Sequence, residues 1–122
     1  MIRYDLQGKT ALVTGGGSGI GLATATMLAA NGCKVAVNHL ADDPRGPEAV
    51  EKLRAAGGGD AIAAPGDVGD AADCARMVEA TVGELGRLDY LVNNAGTPGT
   101  RTQIPPEALD RLTEECGRRW CR

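Results

Sequence analysis

The sequence has 122 residues, 43% of them apolar, with 18 glycines, two tyrosines, one tryptophan, no phenylalanine and a formal net charge of −3. That length holds one domain rather than two, the apolar share excludes a disordered chain, and the shortage of aromatics demands an aliphatic, alanine-rich core. The acidic balance leaves no basic footprint for nucleic acid, and no apolar run approaches the roughly 18 residues of a membrane span, so neither partner is expected.

Thr10 to Thr14 is a compact apolar run ending at Gly15, the pattern of a buried strand. Ile20, Ala23, Met27 and Leu28 then recur at helical spacing, and Gly32 follows as the residue past a helix end, where positive φ costs glycine little. Lys34 to Asn38 reads as a second strand. Pro47 suits a first helical turn, Val50 and Leu53 give that helix a narrow stripe, and Gly57-Gly58-Gly59 ends it. Ala61 to Ala64 is a short third strand, expected to stop before Pro65-Gly66. Asp70 is a good N-cap, and Cys74, Met77, Val78, Thr81, Val82 and Leu85 form a helix face after it. Leu88 to Val92 is the fourth strand, and Pro105-Pro106 opens a last helix carrying Leu109 and Leu112.

Strands alternating with helices predict an α/β fold: a Rossmann-like, three-layer α/β/α arrangement on a parallel sheet with strand order 3-2-1-4. The N-terminus shows no signal-peptide apolar stretch. Cysteines 33, 74, 116 and 121 form no C-x-x-C pair and His39 is the only histidine. The expectation is free thiols in a reducing cytoplasm and no metal site.

Three motifs carry chemistry. Thr14-Gly15-Gly16-Gly17-Ser18-Gly19-Ile20-Gly21 lies between the first strand and first helix. A glycine turn there brings backbone N–H groups and a helix dipole to a phosphate. A Walker loop is excluded because Leu22 follows the last glycine where lysine is needed. Asn93-Asn94-Ala95-Gly96 follows the fourth strand, so the two turns share the crevice where strand order reverses. Gly66-Asp67-Val68 follows the third strand, where a carboxylate can accept from an adenine amino group.

These motifs, in this order and spacing, resemble the short-chain dehydrogenase/reductase family from residue 8 to about 115, most closely bacterial members akin to 3-oxoacyl-carrier-protein reductases and sugar dehydrogenases. The resemblance implies NAD(P)-dependent oxidation of alcohols or reduction of carbonyls. It implies a pyrophosphate site at Gly15, Gly19, Ile20 and Gly21, adenine contacts at Asp67 and Val68, and a ribose-lining turn at Asn94, Ala95 and Gly96. It also makes Ser18 and Asn38 the positions that discriminate NAD from NADP. Ser18 is not the arginine of NADP-preferring members, and Asn38 is not the acid of NAD-preferring ones, so the preference stays open between NAD and NADP.

The family's proton donor is a tyrosine with a lysine four positions later, aided by a serine and an asparagine. Tyr4 is followed at that spacing by Gly8 and Tyr90 by Asn94, and 26 residues follow Gly96, so no catalytic residue is assigned. Residues 116–122 hold two cysteines, the only tryptophan and three arginines with no acid. They read as an atypical tail on a binding domain of residues 1–115. The expectation is a truncated, cofactor-binding half of the fold without turnover. The alternative is a noncatalytic dinucleotide-binding or interaction module that self-associates through an exposed fourth strand.

Overall fold

A computed structural model describes residues 3–57, 60–96 and 107–108. In chain order it contains β1 (Thr10–Val13), α1 (Gly19–Ala30), β2 (Lys34–His39), α2 (Arg45–Ala56), β3 (Ala61–Pro65), α3 (Ala71–Leu85) and β4 (Tyr90–Val92). The four strands form one parallel sheet in the order β3-β2-β1-β4, as the alternation predicts. The last helix expected after Pro105-Pro106, apart from Glu107 and Ala108, and the 116–122 tail lie outside the described residues.

Side chains on a strand alternate between faces, and each face meets a different helix layer. Ala11, Val13, Val35 and Val37 pack with Ala25, Ala29, Ala49, Val50 and Leu53 of α1 and α2. Leu12, Ala36 and Ala64 point the other way, onto Met77 and Leu85 of α3. Among the described residues no aromatic side chain enters either cluster, and the core they form is aliphatic.

The helix ends follow local chemistry. The Asp70 carboxylate accepts from the Asp73 N–H at 3.0 Å, capping α3, which ends at Gly86 with φ 89°. Three expectations change. α1 does not bury Ile20 and Met27, which are 80% and 69% exposed; its buried line is Gly21, Ala25 and Ala29, small residues that let the helix lie close on the sheet. β3 includes Pro65, paired with His39, because β3 is an edge strand and has one side free of ladder bonds. β4 is shorter than Leu88 to Val92, beginning at Tyr90, although the Asp89 N–H still donates to the Thr10 carbonyl at 2.9 Å.

Candidate nucleotide-binding site

The C-terminal ends of all four strands open on the same side of a parallel sheet, and the three motif loops leave from there. The first loop turns at Gly15, φ 61°, and enters α1 at Gly19, φ 55°. A Cβ on Gly15 would sit 3.0 Å from the Ala95 Cα, so glycine also lets this turn lie against the loop after β4. Ser18 is the N-cap of α1, yet its side chain makes no capping bond. The first bond of the helix runs from the Leu22 N–H to the Ser18 carbonyl. The N–H groups of Gly19, Ile20 and Gly21 therefore have no partner among the described residues.

Thr14 joins that turn to the Asn93–Gly96 loop. Its Oγ1 accepts from the N–H groups of Asn94 at 2.9 Å and Ala95 at 3.0 Å, and donates to the Val92 carbonyl at 3.2 Å. The Asn94 side-chain amide returns the connection, donating to the carbonyls of Thr14 at 3.1 Å and Gly15 at 3.2 Å. Gly21 lies under this amide, and a Cβ there would collide with the Asn94 Nδ2 and the Gly15 carbonyl.

The third loop is held by α3. The Asp67 N–H donates to the Asp73 carboxylate at 2.8 Å, and the Val68 carbonyl accepts from the Cys74 thiol at 3.3 Å. That backbone N–H, and then Arg76, hold the Asp73 carboxyl below the usual carboxylate range. The Asp67 Oδ1 accepts from the Gly69 N–H at 2.8 Å, and Oδ2 has no partner among the described residues.

A cavity of about 430 Å³ lies between the loops. It is lined by Gly15, Ser18, Asn38, Asp67, Val68, Asn94, Ala95 and Gly96, eight positions singled out in the sequence. Gly19, Ile20 and Gly21 do not line it. Gly19 and Ile20 are exposed at the start of α1, and Gly21 is buried beneath the turn. For Ile20 the side chain points outward, so only its backbone N–H remains a candidate donor.

Asn38 also differs from expectation. It is 2% exposed, its two amide hydrogens go to the carbonyls of Ala64 and Gly66 and its Oδ1 accepts from the Gly15 N–H, so it has no N–H to offer a ribose and its remaining acceptor site is buried.

Gly17 and Gly66, from the first and third motifs, also line the cavity, as does His39; sequence reasoning passed over Leu40, Asp43 and Arg45, which line it too. The Asp43-Pro44-Arg45 stretch signals a helix start and gives no hint of a pocket. Arg45 chelates Asp43, with Nη2 to Oδ2 at 2.7 Å, and that bonding holds the Asp43 carboxyl at about 2. The His39 ring packs over Gly46, its Nδ1 is 2.7 Å from the Leu40 carbonyl, and its Nε2 is buried without a partner. Among the described residues no group of three His, Cys, Asp or Glu is placed to hold a metal, and no helix is long and apolar enough to cross a membrane.

Comparison with known proteins agrees with this geometry. A family model described as short chain dehydrogenase matches residues 9–115. A Bacillus subtilis protein named as a short-chain dehydrogenase/reductase homolog is 44% identical over 107 residues, 88% of this chain and 94% of that protein. A short chain dehydrogenase from Burkholderia cenocepacia, solved with NADP, superposes with a TM-score of 0.75 at 41% identity, covering 90% of this chain and 42% of its own. An NADH-dependent reductase complexed with NAD gives 0.76 at 36% identity, covering 95% and 46%. The chain spans 40 to 43% of the length of the curated relatives it matches first.

Proposed function

We propose, from the premise that this chain belongs to the short chain dehydrogenase family, that its 430 Å³ cavity binds NAD or NADP as the cofactor half of an oxidoreductase site. The observation that carries the reading is the trio of N–H groups at Gly19, Ile20 and Gly21, which have no partner among the described residues and follow directly after Ser18, a residue of the cavity wall. A helix N-terminus with free donors and a positive dipole end attracts a pyrophosphate. The cavity is within the usual size of a cofactor site, and glycine at 15 and 17 adds no side chain to its wall at the turn.

In this reading the three N–H groups donate to pyrophosphate oxygens, and the Oδ2 of Asp67 accepts from the adenine amino group. Val68 covers the ring face, and the Asn94–Gly96 loop borders the ribose. When bound, the nicotinamide supplies or accepts the hydride. The protein's share of such a reaction is an acid beside the carbonyl, and neither Tyr4 nor Tyr90 is followed by lysine four residues on. The 122 residues are therefore assigned cofactor binding without turnover, within a unit of residues 1–115.

The test is a fluorescence titration with NADH and NADPH, followed by incubation with a panel of carbonyl compounds. Saturable binding of at least one dinucleotide without its consumption supports the reading. Turnover by the purified chain refutes the noncatalytic assignment, and absence of binding refutes the whole. The Cys33 and Cys74 thiols, free in the structure, fit a reducing, cytoplasmic setting.

A second reading rests on β4. Among the described residues it is the outer strand on its side of the sheet, with Leu91 52% and Tyr90 40% exposed. An edge of this kind templates pairing with a second copy of the chain. Light scattering behind size-exclusion chromatography should show a dimer that Leu91→Lys dissociates; a monomer at all concentrations removes this reading.

A further inference from the structure

Asn38 occupies the point where three strand ends meet. Its Oδ1 accepts from the Gly15 N–H at 3.1 Å, tying it to the glycine turn after β1. Its Nδ2 donates to the carbonyls of Ala64 at 3.1 Å and Gly66 at 3.0 Å, in and just after β3, with the Met77 Sδ at 2.9 Å. The backbone doubles the connection: the Gly16 N–H donates to the Asn38 carbonyl at 3.0 Å, and the Gly66 N–H to the His39 carbonyl at 2.9 Å. The amide orientation is fixed by its partners, since an N–H must meet the oxygen and two carbonyls must meet the nitrogen.

We infer that Asn38 is a positioning residue: its buried amide sets the separation between the glycine turn and the Gly66–Val68 loop, and does not read the ribose. This rests on the proposed dinucleotide site. It follows that an acid at this position cannot direct the site toward NAD. A carboxylate keeps the bond from the Gly15 N–H but has no hydrogen for the carbonyls of Ala64 and Gly66. It would place a negative charge, 2% exposed, against two carbonyl oxygens. Both ends of the dinucleotide site then lose their common brace, so NAD and NADP suffer together.

Asn38→Asp separates these roles. At pH 7 the variant is expected to bind NADH and NADPH about tenfold or more weakly, with the two losses equal within about threefold. A gain in the ratio of NADH to NADPH affinity of tenfold would overturn the inference. The pH profile supplies a readout that general loosening would not move. Burial and the facing carbonyls raise the pKa of the introduced acid. Its protonated form donates to one carbonyl and still accepts from Gly15, so affinity relative to the native protein recovers as pH falls toward 5. His39 of β2, Asp43 and Arg45 beyond its end, Asp67 after β3 and Asp73 of α3 are the charged or titratable groups around the position; none bonds the amide, and both proteins carry all five. A relative affinity flat with pH overturns the proposal.

Hydrogen exchange of the Gly15 amide in ligand-free protein reads the brace without any dinucleotide. Asn38→Ala should raise its exchange about tenfold or more while leaving the Leu85 amide of α3 unchanged; unchanged Gly15 exchange defeats the inference. If the native chain binds neither dinucleotide yet Gly15 exchange responds, the binding proposal fails and the brace stands.

Discussion

Removing one oxygen at Thr14 should unfasten the β4 loop from the glycine turn. Thr14 is 8% exposed and its Oγ1 satisfies the N–H groups of both Asn94 and Ala95. Thr14→Val keeps the shape and deletes both acceptances. A fully buried N–H left without a partner costs about 1–3 kcal/mol, but Asn94 and Ala95 are only half-buried, so water can reach them. The Asn94 N–H keeps its bond to the Val92 carbonyl at 3.1 Å, so only the Ala95 N–H is left without a partner, and the lower end of that range gives a loss of about 1 kcal/mol. With a urea m-value of about 1–3 kcal/mol/M, the midpoint should fall by roughly 0.5 M. Thr14→Ser, which keeps the oxygen and drops a methyl, is the control and should lose about half as much. Amide exchange at Ala95 should quicken in the valine variant and stay near native in the serine variant. If valine proves as stable as serine, the hydroxyl is not the fastening and the reasoning fails.

Gly46→Ala should destabilise by about 1–3 kcal/mol, because a Cβ there runs into the His39 ring; adding His39→Ala should remove most of that increment, and a purely additive double mutant argues against the contact. The Asp89 carboxyl is held below its ordinary value by Arg87 and by the Thr10 N–H, so its contribution is present above about pH 4 and is lost as pH falls through the folded pKa. Urea midpoints of the native chain should therefore drop further between pH 7 and pH 3 than those of Asp89→Asn; equal drops would show that the bonding contributes nothing. Burial, and secondarily Asp89, push the Cys33 thiol pKa up, so mapped alkylation at pH 8 should be slow at Cys33 and accelerate with urea; fast modification of the native chain would contradict its buried position.

Much of the fold could be read before the structure because its signals are local. The apolar runs at Thr10–Thr14 and Lys34–Asn38, the N-cap at Asp70 and the glycine at 32 each declare an element or its end from neighbouring residues alone. Alternation of strand and helix then leaves few topologies, and the order β3-β2-β1-β4 is among them. Where the reading slipped, packing across the sheet decided. A periodic count cannot tell that α1 buries Gly21, Ala25 and Ala29 rather than Ile20 and Met27, because the choice depends on how closely the helix approaches the sheet.

The candidate site divides in the same way. Spacing after the strands marked the glycine turn, Asp67-Val68 and Asn94–Gly96, and the family resemblance supplied the contacts expected of them. What each residue does there was decided by partners far away in the chain. Asn38 is engaged by Gly15, Ala64 and Gly66, 23 to 28 residues distant, and Asp43 and Arg45 reach the cavity only because β2 ends beside it. An amide's hydrogen bonds depend on which backbone groups the fold carries within 3 Å of it, and no stretch of neighbouring sequence contains that information.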